Sequence, residues 1–281
     1  MSLKLKEINV KKFMKLLQNT MTFKKNMLCI YIDNNKIKSF SKNDTGTMFK
    51  YIESGIDEYC TSYESDLSER GTIIFTSAEK IINVMKNLGT EECDITIDFT
   101  DSNNFGKLST LMCISNKFFE VNLPAMSEDL CNMMKSDIYF NDALVSAFVD
   151  VSTIIDFNIP DIKQIISCMN ISDENDNITI YTDENKEIYL SQLVDKEMPT
   201  NFNDVPNLSK VFKYNIEKEN VNVDKPIAIF YKKENLMQIN TNNEYKVAVV
   251  NYNNESSQLK PLRFISEGVC KELYVICNLL S

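Results

Sequence analysis

The chain has 281 residues and a mass of 32.4 kDa, with 43% apolar residues, 25% charged residues, six glycines and six prolines. That length supports two domains of about 140 residues, and the composition excludes disordered and collagen-like chains. No apolar run reaches the ~18–20 residues that cross a bilayer, and the basic start, Met1 to Lys15, has no continuous apolar stretch, so neither a membrane span nor a secretory signal is expected.

The eight cysteines, at positions 29, 60, 93, 113, 131, 168, 270 and 277, form no CxxC pair, and there is no histidine. Reduced, buried thiols are the simplest reading. Without histidine there is no Ser-His-Asp or Cys-His catalysis, no zincin motif and no His-ligated metal. No GxxxxGK[ST] or GxGxxG loop is present, so no phosphate-bearing cofactor is expected. These absences together point away from an enzyme. The acid-rich stretches Asp173–Asp176 and Asp183–Glu187 lack the glycine and terminal glutamate of a calcium loop and read as turns.

Charge is unevenly spread. The chain is −10 overall, yet residues 1–50 hold eleven lysines against Glu7, Asp33 and Asp44, a local +8. Only Arg70 and Arg263 are arginines. Lysine acts as a point charge on phosphate, whereas bidentate base reading favours arginine. A contact with DNA through such a cluster is electrostatic and indifferent to sequence.

In chain order, Ile8 to Asn19 reads as an amphipathic helix. Ile8, Phe13, Met14, Leu16, Leu17 and Met21 form its apolar side, and Lys11, Lys12 and Lys15 lie on the polar one. Strands Met27–Asp33 and Lys36–Ser41 follow, turned at Asn34-Asn35. Met48–Ile52, Ser62–Asp66 and Thr72–Phe75 continue the β pattern. Ser77 is placed to cap a helix from Ala78 to Leu88, stopped by Gly89, with Ile81, Ile82, Met85 and Leu88 inward and Lys80 and Lys86 outward. Asp94–Thr100, Leu108–Ile114 and Phe118–Val121 read as strands. Leu123 to Asn141 breaks the pattern and reads as a connector over the surface. The expected domains are therefore 1–122 and 146–281, joined by 123–145.

The second half restarts the first. Ala147–Phe157 reads as a strand, and Asp161 to Asn170 as a helix opened by Pro160. The pair Ile178–Thr182 and Ile188–Ser191 follows. Val10–Leu17 (VKKFMKLL) recurs as Ile162–Met169 (IKQIISCM). Cys29–Ile37 recurs as Thr179–Ile188, and Ile227–Ile239 reads as a third hairpin of the same kind. Leu208 to Lys213 is a short helix or strand, Tyr245–Tyr252 a closing strand, and the residues after Asn253 an apolar tail that packs.

Helix followed by strands, repeated in two domains joined by a connector, resembles the DNA sliding clamps: the PCNA and tailed-phage processivity clamps. The resemblance rests on the opening helix with the Cys29–Ser41 hairpin, the Phe157–Ser191 helix and hairpin, and the Ile227–Val250 strands. It implies an α+β, two-domain clamp fold with helices on one face of antiparallel sheets, closing head to tail into a homotrimeric ring. It implies a non-enzymatic processivity factor that encircles double-stranded DNA without sequence preference and tethers a DNA polymerase after a clamp loader has placed it. The setting would be the cytoplasm or nucleoid of an infected host cell. The DNA-facing residues would be Lys11, Lys12, Lys15, Lys80, Lys86 and Lys163. By position, Phe40, Leu123, Pro124, Met126, Val249 and Val250 would line a cleft for a partner peptide. The resemblance leaves the tail after Tyr252 as a C-terminal extension. A second reading from the same elements is a two-domain β-rich viral structural or interaction protein with no role on DNA.

Overall fold

The structure is a computed structural model, and it describes residues 1–23, 27–88, 92–135, 142–157, 177–191, 211–214, 217–225, 227–240, 243–252 and 259–278. The chain separates into two compact units. Unit 1 is Met1–Phe140 with Glu267–Glu272, and unit 2 is Asn141–Ser266 with Leu273–Ser281.

Unit 1 is built on strands β1 (Ser2–Ile8), β2 (Leu28–Asp33), β3 (Lys36–Lys42), β4 (Met48–Gly55), β5 (Ser62–Ser65), β6 (Gly71–Phe75), β7 (Cys93–Ser102), β8 (Gly106–Ser115) and β9 (Glu120–Pro124). Their order is β4-β3-β2-β6-β8-β7-β1-β5, with β9 also on β8. Pairing is antiparallel except between β6 and β8. Two helices, α1 (Val10–Thr20) and α2 (Ala78–Asn87), pack side by side on one face. Val10, Phe13, Leu16 and Leu17 of α1 join Ile81, Ile82 and Met85 of α2 in one core with Leu28, Ile30, Ile73, Ile95 and Ile97.

The opening strand β1 departs from the sequence expectation, which starts a helix at Ile8. Leu3 and Leu5 point inward at period two, but the register to β7 shifts between Leu5 and Ile8, and Glu7 takes φ 50°. This bulge displaces Ile8 by one residue, so its spacing mimics the start of a helical face. The helix begins at Val10. The Asn9 side chain caps it by accepting from the Lys12 N–H at 3.0 Å. Replacing Asn9 with Ala orphans that donor and is expected to cost about 1 kcal/mol in chemical denaturation.

The β2–β3 turn is as the sequence indicates. Asn34 and Asn35 take φ 45° and 65°, the left-handed pair of a two-residue hairpin. The other face of the sheet is also buried at Cys29, Tyr31, Phe40, Tyr51 and Ile74. This is why β2 reads as a continuous apolar run and not as an alternating one.

After β9 comes a short helix, α3 (Glu128–Met133). Met126 donates its N–H to the Ile74 carbonyl at 3.0 Å, and Cys131 is fully buried. The segment expected to be a surface connector thus begins inside the β-structure: Leu123 and Pro124 are the last residues of β9, paired with Met112 and Leu111.

Unit 2 contains α4 (Asp142–Val149), β10 (Thr153–Phe157), β11 (Asn177–Thr182), β12 (Ile188–Ser191), β13 (Val211–Tyr214), β14 (Ala228–Lys232), α5 (Lys233–Leu236), β15 (Lys246–Val250) and β16 (Leu262–Glu267). The last strand, β17 (Cys270–Ile276), gives its first three residues to unit 1 and the rest to unit 2. A four-stranded sheet has the order β13-β12-β11-β14, and β15 pairs with both β10 and β16.

Two expectations fail in unit 2. The strand read over Ala147–Phe157 is helix to Val149 and strand only from Thr153. The helix is ended by a distant residue: Arg263 donates from Nη1 to the Phe148 and Val149 carbonyls at 3.0 and 3.1 Å. The third hairpin, read over Ile227–Ile239, does not form. Its first strand stops at Lys232 and one helical turn follows. That turn closes through Gln238 N–H to Asn235 O and Ile239 N–H to Leu236 O; the segment lacks the left-handed residue pair that reverses β2 into β3. The tail, by contrast, adds the strands β16 and β17. The helix expected over Asp161–Asn170, which contains Lys163 and Cys168, lies outside the described residues.

Candidate nucleic-acid interface

Helix α1 carries Lys11, Lys12 and Lys15 and no acidic residue. Helix α2 carries Lys80 and Lys86 against Glu79 alone. All five lysines are exposed on the side of the helices turned away from the core. None is in an ion pair among the described residues. The two helices together carry a net +4 in a chain of −10. The pattern follows from the helical period: an apolar stripe faces the sheet, and every position off the stripe is free to be polar. That so many of those positions are lysine is not required by packing. A surface of mobile ammonium groups without carboxylate partners attracts polyanions, and the attraction weakens with salt.

The residues expected to receive a partner peptide are distributed differently. Phe40 is 1% exposed on β3, its ring 5.5 Å from that of Phe49. Met126 is 7% exposed. Leu123 is half-buried and Pro124 exposed on β9. In unit 2, Val249 and Val250 are fully buried on β15 opposite Ile155 and Thr153. As they stand, only Pro124 and part of Leu123 offer surface to a partner.

The exposed apolar groups of unit 1 lie elsewhere. Leu130 and Met133 project from α3, and Phe118 and Phe119 stand at the β8–β9 turn, both about two-thirds exposed. Lys117 lies over the Phe118 ring at 4.6 Å. The sequence signal was the pair of adjacent aromatics directly after Ser115-Asn116-Lys117, a turn signal; counting Phe118 as the first residue of a strand hid it.

Among the described residues, the thiols show no activation. Burial pushes Cys29 and Cys270 up to about 12, and Cys93 and Cys131 up to about 11. Such groups stay protonated and are poor nucleophiles. Among the described residues, no cluster of three or more Cys, Asp or Glu side chains could hold a metal ion. No described helix is long and apolar enough to cross a membrane.

No protein-family model matches the sequence, and no curated protein matches it. The fold does have close likenesses. The PCNA of A. fulgidus, in a structure with the C-terminal region of FEN-1 bound, superposes with a TM-score of 0.58 over 100% of this chain and 98% of its own, at 9% identity. The PCNA of Entamoeba histolytica gives 0.56 over 99% and 98%, at 10% identity. The Helicobacter pylori beta clamp gives 0.59 over 99% of this chain and 66% of its own, at 12% identity. The chain has the sliding-clamp fold. At these identities the likeness fixes the architecture and leaves the surface chemistry to be read from this chain's own residues.

Proposed function

We propose that the protein is a non-enzymatic DNA sliding clamp of the PCNA and phage type, a processivity factor that closes around duplex DNA and tethers a polymerase. The observation that carries the reading is the lysine face of α1 and α2: five exposed cations with one acidic neighbour, on the helical face of a clamp fold whose total charge is strongly negative. Duplex DNA presents a charge every ~1.7 Å of axis, so such a face finds phosphates at any rotation and any sequence. Lys163 is assigned to the same lining by its place in the repeat. Weak, interchangeable contacts hold the duplex without fixing it, which is the condition for sliding.

Ring assembly requires a second copy of the chain. Strand β9 has a partner strand only on its β8 side among the described residues, and Phe118 and Phe119 stand exposed at its start. An open edge beside two exposed aromatics is an aggregation hazard in a monomer and a docking edge in an oligomer. The expected partner is an edge of the four-stranded sheet in unit 2 of the next copy, repeated head to tail until the ring closes. Partner peptides are expected to meet the segment after β9. Leu123 and Pro124 lie at its start and Met126 follows them in the same segment, and Phe40, buried on β3, is assigned to it by position. In the A. fulgidus protein, PCNA is the bound partner of the FEN-1 C-terminal region; a polymerase and a loader are the analogous partners here.

Sedimentation at micromolar concentration tests the assembly. A trimer of about 97 kDa, three copies of 32.4 kDa, is expected. Changing Phe118 and Phe119 to Asp should yield a folded species of one-third that mass, since both side chains are exposed and contribute little to the core. A wild-type monomer or twofold dimer contradicts the ring and favours an interaction protein with no DNA role.

A further inference from the structure

The carboxyl end of α1 is held by side chains from three other strands. Lys50 of β4 donates from Nζ to the Met21 carbonyl at 2.7 Å. Ser39 of β3 donates from Oγ to the Thr20 carbonyl at 3.3 Å. Asn19, in the last turn itself, donates from Nδ2 to Oε1 of Glu272 at 3.0 Å, a contact across 253 positions of sequence. Glu272 lies on β17, in the short stretch that belongs to unit 1.

Helix α1 has no basic residue in its last turn, so its negative end is met from outside by the Lys50 ammonium. The Phe23 ring lies 5.1 Å from that ammonium. Lys50 is 8% exposed and Glu272 fully buried. Burial pulls Lys50 down to about 8, and Glu272 is the charge that opposes the shift. No ion pair joins the two; each meets the helix end through its own hydrogen bond, and Glu272 acts against the shift that burial imposes on Lys50. Two charged side chains buried this deeply are a poor way to gain stability and a good way to specify one arrangement.

We infer that Lys50 and Glu272 are positioning residues for the lysine helix: they lock the last turn of α1 to β4 and to the C-terminal strand, and so fix the direction in which Lys11, Lys12 and Lys15 point. The inference rests on the reading of α1 as a DNA-facing helix. It also gives β17 a role that its distance in sequence conceals, because a strand residue 253 positions further on seats the first helix.

Amide hydrogen exchange on the full-length protein tests this directly. In Glu272→Leu, Leu17–Met21 should exchange about tenfold faster while α2 is unchanged, because local opening is confined to the turn that lost its anchor. In Lys50→Met/Glu272→Leu, which leaves neither charge buried alone, the melting temperature should return toward wild type while the last turn stays fast-exchanging. Unchanged protection in Glu272→Leu, or protection regained together with the melting temperature in the double variant, overturns the inference. A parallel measurement of retention on circular DNA separates the two claims. If a Lys11, Lys12, Lys15→Glu variant loses retention but the loosened helix does not, the positioning role is wrong. If neither variant loses retention, the DNA-facing reading falls and the anchor stands.

Discussion

Replacing Lys11, Lys12 and Lys15 together with Glu is expected to abolish retention on DNA while leaving the fold intact. The three side chains are exposed, stand on a helix without acidic residues and join no ion pair among the described residues. Their substitution therefore removes no packing, and each change should cost within ~0.5 kcal/mol of stability. The electrostatic effect is far larger. In a trimer, nine positive charges become nine negative ones in a single band. Each phosphate contact contributes roughly 0.9 to the slope of log affinity against log salt, so the wild-type protein should show a steep salt dependence that the variant lacks. Affinity at low salt should fall by at least about a hundredfold, read by fluorescence anisotropy on a labelled duplex, with an unchanged circular dichroism melt. A folded variant that binds as tightly as wild type removes α1 from the interface.

Glu272→Leu is expected to destabilise by about 3 kcal/mol, a cost that Lys50→Met largely reverses when added. Removing one member of a buried charge pair leaves the other uncompensated, whereas removing both with apolar groups of similar size is close to neutral. Lys50 is already lowered from 10.5 to about 8 by burial, with Glu272 the charge that resists the fall. Between those values the unfolded chain holds more protons on Lys50 than the native one, so the contribution of Lys50 to stability improves as pH rises from about 8 to 10.5. In Glu272→Leu the opposing charge is gone and the native pKa drops further. The deficit of that variant should therefore be largest near neutral pH and shrink in alkali. Urea titrations at pH 7 and pH 9.5 read both parts. Equal losses at the two pH values, or no recovery in the double variant, contradict the assignment of charge to this buried pair.

Much of unit 1 is legible from local sequence. Asn34-Asn35, the alternation of Asp94–Thr100 and the spacing of Ile81, Ile82 and Met85 each point to the element that forms, because turn chemistry and side-chain period act over a few residues. What escapes is decided at a distance. The bulge at Glu7 is stabilised by its N–H donating to Asp94 at 2.9 Å, and it makes the end of a strand look like the start of a helix. The end of α4 is set by Arg263, and the seat of α1 by Glu272. Nothing near those helices announces either partner. The same division holds for the candidate interface. Lys11, Lys12, Lys15, Lys80 and Lys86 are readable because a solvent-facing stripe shows in helical period. Burial of Phe40, Val249 and Val250 is not, because an apolar residue in a strand looks the same whether it lines a cleft or fills a core. Phe118 and Phe119 fail for the opposite reason: adjacent aromatics suggest a buried strand, and only the turn before them places both in solvent.

A closed ring of this chain is expected to hold DNA by surrounding it. The most direct measurement is retention of the loaded protein on a nicked circular plasmid compared with the same plasmid after a single linearising cut, by gel filtration at moderate salt. Protein is expected to stay with the circle and to be lost from the line within the time of the column, because a ring slides off a free end. Equal retention on both forms, or on neither after loading by an active clamp loader, contradicts it.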